Sequence, residues 1–214
     1  MAIVRTPEQE AVYQRFISEA TELVVEMNRR VSEQGNKETT FCASGCSTCC
    51  CQIFHFYPLE LEVILARIAG DPELSSKFQE QNARRKALLE KKIDEIKEIS
   101  QIQDQNEFCR RWIGLKISCA LLYEDKCMIY EVRPSACSTY LTLSPPRVCA
   151  IDPKGYLSVS MKKIKKEFNQ VILAITQKYG GGNALLFDLS WHLDNFFNSP
   201  QEDKRRKREG SRHK

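Results

Sequence analysis

Histidine is nearly missing from this chain, with three among 214 residues, and so are several patterns on which common functions rest. No run of 18 apolar residues occurs, and residues 1–10 lack the apolar core of a secretion signal, so neither a membrane span nor export is indicated and a cytoplasmic location is expected. GxGxxG is absent. The one triple glycine, residues 180–182, is neither preceded by a strand-like run nor followed by Lys-Ser or Lys-Thr, so it does not read as a phosphate loop. No internal repeat is visible. Nitrogen ligands are scarce as well: His55 alone lies near the cysteines discussed below, and a lone histidine among Ile53, Phe54, Phe56 and Tyr57 reads as a packed residue.

Surplus charge is confined to one place. Of the formal +4, all falls in residues 201–214, which carry seven Lys or Arg and three acids, and the other 200 residues hold 25 charges of each sign. A nucleic-acid-binding face on the body is therefore not supported, and any such contact is expected only through the basic tail. That tail has no core-forming residues and is expected to be disordered.

What the chain has in excess is cysteine, ten in all, in two sets. Cys42, Cys46, Cys49, Cys50 and Cys51 fall within ten residues. Cys119, Cys127, Cys137 and Cys149 follow after a long gap, with Cys109 slightly apart. In a reducing compartment dense thiols are metal ligands or redox groups more often than structural disulfides, and three consecutive cysteines suit disulfides poorly because neighbouring side chains point apart. Eight thiols in two groups of four, Cys42, Cys46, Cys49, Cys50 and Cys119, Cys127, Cys137, Cys149, are the candidate ligands. All-sulfur ligation points to tetrahedral zinc or an iron–sulfur cluster, with copper(I) less favoured. Closing Cys50 on Cys119 spans about 70 residues at a length-dependent entropic cost of about 4 kcal/mol. Structural zinc supplies about 10–16 kcal/mol in small peptides, so ligation exceeds closure.

The remaining chain reads as helices. Thr6, Pro7 and Gln9 form a capping box and an N1 proline ahead of Val12, Phe16, Ala20, Leu23, Val24, Met27 and Val31, which predict an amphipathic helix ending near Gly35. Pro58 opens a second helix, closed near Gly70. Residues 73–103 predict one long charged helix with a thin apolar seam, packed on the first, and residues 107–113 a short one. Pro134 and Pro145-Pro146 exclude long helix between the late cysteines, leaving turns and short extended pieces. A helix from residue 158 to Tyr179 has a lysine-rich outer face, and a last one runs from Asn183 through Phe197. The expected fold is mostly α: a helical single domain over residues 1–200 wrapped around a cysteine-rich, loop-held metal site, followed by the tail.

CxxxCxxCC at Cys42 to Cys50, followed by CALLYEDKCMIYEVRPSAC at Cys119 to Cys137 and by Cys149, resembles the YkgJ-type cysteine-cluster family, described as zinc- or iron-chelating domains. Ile129-Tyr130 and Arg133-Pro134 match the family's linking segment, whereas Ser138 and Ala120-Leu121 depart from its usual Arg and Pro-Phe. A relative with a similar cysteine pattern, flagellin lysine N-methylase, implies that such a site can serve protein modification. The resemblance and the ligand type together favour an iron–sulfur cluster over zinc, with a redox or protein-modification role. A metal-free thiol redox protein working through Cys49, Cys50 and Cys51 is the alternative, as is a zinc-stabilised interaction module whose long charged helix binds a protein partner. Arg133 reads either as a donor toward sulfur or as a surface ion-pair residue, and Tyr130 either as a phenol beside the site or as a packed side chain. Cys51 and Cys109 are expected to be non-ligands, Cys51 turned toward Ile53 in an extended segment and Cys109 buried beside Phe108 and Trp112.

Overall fold

The structure, a computed structural model, describes residues 6–37, 42, 45–142, 146–149, 159–179 and 187–188. The chain is mostly helical. α1 (Pro7–Lys37) starts with the expected capping box: the Thr6 amide donates to Gln9 Oε1 at 2.9 Å, and the Gln9 amide donates to Thr6 Oγ1 at 3.3 Å. The helix ends at Lys37, two residues past Gly35 and close to the expected end.

A 3-10 turn (Thr48–Cys51) precedes β1 (His55–Phe56), and α2 (Pro58–Ala69) is closed by Gly70. α3 (Pro72–Lys91) is capped by Asp71, whose carboxylate accepts from the Leu74 amide at 3.0 Å. The predicted long helix breaks at Lys92, and α4 (Ile93–Ser100) continues after it. The break lets the seam serve two partners. Leu74 and Phe78 join the main core against α2, while Leu89, Ile96 and Ile99 turn to a second cluster with Leu115 and Ile117. Packing of the charged helix on α1, expected above, gives way to packing on α2.

α5 (Gln105–Gly114) is capped by Asp104 and carries Phe108 stacked on Trp112. Next come β2 (Leu122–Tyr123) and β3 (Lys126–Cys127), an antiparallel hairpin pairing Leu122 with Cys127 and Tyr123 with Lys126. Its turn residues Glu124 and Asp125 both have positive φ, 47° and 58°. Two successive positive φ values match the right-handed twist of the flanking strands. A 3-10 turn (Tyr130–Val132) leads to α6 (Ser135–Ser138), then come α7 (Pro146–Cys149) and α8 (Val159–Lys178). β4 (Phe187–Asp188) pairs antiparallel with β1, so these two residues are strand where a helix from Asn183 was expected. The rest of that predicted helix, and residues 201–214, lie outside the described residues.

α1, α2 and α8 pack together and bury Ala20, Val24, Met27, Val31, Val63, Ile64, Ile68, Met161, Phe168 and Ile172. Burying each large aliphatic or aromatic side chain here is worth about 1.5–3 kcal/mol, which makes this three-helix face the frame on which the cysteine-bearing turns are mounted. No helix among the described residues is long and apolar enough to cross a membrane.

Candidate metal centre

The two cysteine sets, some 70 residues apart in sequence, meet on one cavity of about 350 Å³. Cys46, Cys49 and Cys50 line it from the first set, and Cys119, Cys127 and Cys137 from the second. Trp112 and Ile117 contribute from the second apolar cluster and Phe56, Leu121 and Ile129 from the first, so the cavity lies where the two clusters adjoin.

Local structure presents the thiols from short elements. The Cys50 amide donates to the Ser47 carbonyl at 2.9 Å and the Gln52 amide to the Cys49 carbonyl at 3.0 Å, which closes the 3-10 turn under Cys49, Cys50 and Cys51. Cys127 ends the hairpin and Cys137 sits in α6. The sets are then tied directly. The Cys119 amide donates to the Cys50 carbonyl at 2.8 Å. Ser47 Oγ donates to Asp125 Oδ1 at 3.0 Å, which also holds the hairpin turn in its positive-φ conformation. Gln52 Nε2 donates to the Tyr140 hydroxyl at 2.9 Å, and Phe54 meets the Tyr140 ring edge-on at 5.3 Å.

Cys42 and Cys149 stand apart from the cavity lining. Cys42 Sγ accepts from the Thr142 amide at 3.3 Å, and its thiol contacts the Tyr140 carbonyl at 3.9 Å. Cys149 is 7 % exposed on α7, which packs on the 3-10 turn of the first set. Cys149 is close enough to Cys42 to affect its ionisation, as are Cys46 and Cys49. The late cysteine Cys149 thus keeps company with the early set, and the early Cys50 with Cys119 and Cys127.

Neither leftover cysteine lines the cavity. Cys51 lies on the 3-10 turn, not in an extended strand, and turns toward Ser118 Oγ at 3.9 Å rather than toward Ile53. Cys109 is half-exposed in α5, where Gln105 Nε2 donates to its sulfur at 3.5 Å, so it is not the buried hydrophobe expected from its spacing. The His55 side chain lies outside the described residues.

Electrostatics differ among the thiols. Cys49 and Cys50 are hydrogen-bonded to each other, and this bond, helped by the charge of Arg133, lowers the Cys49 pKa to about 7 while raising that of Cys50. Burial pushes Cys119 up to about 11 and raises Cys42, Cys51, Cys127 and Cys137. Tyr140 rises to about 12 for the same reason. Arg133 lies 3.9 Å over the Tyr130 ring, a cation–π contact at the cavity wall that puts this pair beside the thiols rather than in a surface ion pair.

Residues without a motif to mark them do the mounting. Glu60, 1 % exposed, accepts from the Ser135 amide at 2.6 Å and the Tyr57 amide at 2.8 Å, anchoring the start of α6 to α2. Burial raises its pKa against those two bonds. Asn28 Nδ2 donates to the carbonyls of Glu131 and Arg133, both at 3.0 Å, fixing the segment before Cys137 to α1. Arg85, 6 % exposed, reaches the cavity from α3. Each is a polar residue on an apolar stripe: Glu60 precedes Val63 and Ile64, Asn28 follows Val24, and Arg85 follows Phe78 by seven. That misplacement was the available signal.

The donor set suits a soft metal, since among the described residues sulfur is the only side-chain ligand type present in number on the cavity wall, and Arg133, which lines the same cavity, has a buried Nε without a hydrogen-bond partner. The thiols are gathered but not drawn to ligation distance. Among the described residues no group of three or more His, Cys, Asp or Glu is placed to hold a metal ion. No family model, curated protein or solved structure matches the chain.

Proposed function

We propose that this chain is a cytoplasmic metal-binding protein whose cavity thiols hold an iron–sulfur cluster in preference to zinc, with a redox or protein-modification role. The observation that carries this reading is the convergence of six thiols from two distant segments on one cavity, joined by the bond from the Cys119 amide to the Cys50 carbonyl. Cys46, Cys49, Cys50, Cys119, Cys127 and Cys137 would hold the metal, and Cys42 and Cys149 complete the pool of eight. Bound there, such a group supplies one-electron transfer. Ligation asks the thiols to close in.

Anaerobic purification with iron, sulfide and zinc analysis tests this. Iron and sulfide in equal amounts are expected, with loss of bound metal in Cys127→Ala and Cys46→Ala and no loss in Cys51→Ala or Cys109→Ala. A colourless, zinc-only protein from iron-supplemented cells removes the redox role. Loss of metal in Cys51→Ala or Cys109→Ala breaks the ligand assignment.

The hydrogen-bonded pair Cys49 and Cys50 favours a second reading, metal-free thiol–disulfide exchange. There the Cys49 thiolate attacks a substrate disulfide and expels one thiolate, which takes up a proton. A second cavity thiol loses its proton, attacks Cys49 sulfur and releases the other substrate thiol, leaving the protein oxidised by two electrons. Reduction of a model disulfide by folded, metal-free protein, abolished in Cys49→Ser, supports this second reading against the first.

A further inference from the structure

The charges on the cavity wall are lopsided. Arg85, Lys126 and Arg133 line it, and the single acid among the described lining residues, Asp125, has its Oδ1 taken by Ser47. Four thiolates around a doubly charged centre carry a net charge of −2, and a half-buried dianion is unfavourable unless cations lie against it. Arg85 and Arg133 bring the opposite charge, and Arg133 has the further feature of a buried Nε with no hydrogen-bond partner.

The surroundings of Arg133 explain why that donor is kept in place. Its carbonyl is fixed by Asn28 Nδ2 at 3.0 Å, and its guanidinium lies over Tyr130, so the residue is held at both ends. It lines the same cavity as Cys49, Cys127 and Cys137, thiols of both sets. A neutral thiol is a weak acceptor, whereas a thiolate accepts a strong, charge-assisted bond from a guanidinium. The buried Nε–H has no hydrogen-bond partner, and a metal-bound thiolate sulfur in the cavity would supply one.

Resting on the metal-binding reading, we propose that Arg133 is the positioning and charge-compensating residue of the thiolate site, donating Nε–H to a ligating sulfur once metal is bound. Loading, not folding, completes its hydrogen bonding.

Cobalt(II) alone, titrated anaerobically into the metal-free full chain and followed by sulfur-to-cobalt charge-transfer absorbance, separates the possibilities. Wild type is expected to bind with that absorbance, Arg133→Met to bind about 10- to 100-fold more weakly, the range usual for loss of a group that supports metal ligands, and Arg133→Lys to fall between. Metal-free wild type and Arg133→Met should melt alike. If the methionine variant does not fold, a weakened Arg133→Lys carries the same conclusion. Binding by wild type with Arg133→Met within twofold overturns this inference and leaves the metal-binding reading standing. Full recovery in Arg133→Lys overturns the Nε–H bond, because charge alone then suffices. A wild type with no sulfur-to-cobalt absorbance overturns both.

Discussion

The helical frame and the cysteine-bearing turns are held by different forces. α1, α2 and α8 bury a continuous apolar surface, and the ion pairs between α1 and α8 lie outside it, such as the exposed pair of Arg30 with Glu167 at 2.7 Å. The segments bearing Cys49, Cys119, Cys127 and Cys137 have little regular structure and are fixed by a few polar pins: Glu60 to Ser135, Asn28 to Glu131 and Arg133, Ser47 to Asp125, and Cys119 to Cys50. Burial is spread over many side chains, so the frame loses stability only where a large group is removed from its centre. Pins are few and directional, so removing one frees a particular element. A rigid support under a loosely closed set of thiols suits a site that tightens on its ligand.

Removing a large core side chain should strike both regions at once. Phe78, fully buried in the main cluster, is expected to cost about 3–5 kcal/mol as Phe78→Ala. Urea denaturation of the metal-free chain should show one transition at lower midpoint. Two separated transitions would show that the cysteine side folds independently of the frame.

Removing a pin should loosen the elements it ties, here α6 and the first turn of α2, while the rest of the frame holds. Glu60→Ala leaves the Ser135 and Tyr57 amides without their acceptor and is expected to cost about 2 kcal/mol. Hydrogen exchange should quicken in residues 135–139 while α1 keeps its protection. Equal loss in α1 would mean that the pin belongs to the frame after all.

The smallest effect concerns ionisation in the metal-free chain. Folding lowers the Cys49 pKa to about 7, so its contribution is present above the ordinary thiol pKa, near 9, and is lost as pH falls through 7. The raised pKa of Cys50 acts in the opposite direction and offsets part of this gain. The stability gap between wild type and Cys49→Ser should therefore narrow from pH 9 to pH 6. A gap that widened on acidification would reverse the assigned direction.

Periodicity made the frame legible. The stripe from Phe16 to Val31, the Thr6 capping box, the proline at the start of α2 and the turns between the late cysteines all stand in the sequence, because they depend on contacts within a few residues. The two cysteine sets were legible as candidates for the same reason: their spacing is local. Their companionship was not. That Cys149 lies near Cys42, that Cys50 faces Cys119, and that Cys51 turns to Ser118 are contacts between residues 67 to 107 apart, which no local spacing encodes. Lys92 breaks the charged helix because two apolar clusters compete for its seam, and that competition exists only once α2 and α5 are in place. Chain-local energetics thus determined most of the helical segments and which residues are candidate ligands. Tertiary packing decided which thiols share a cavity, because only the folded frame brings Glu60, Asn28 and Arg133 to the turns that carry them.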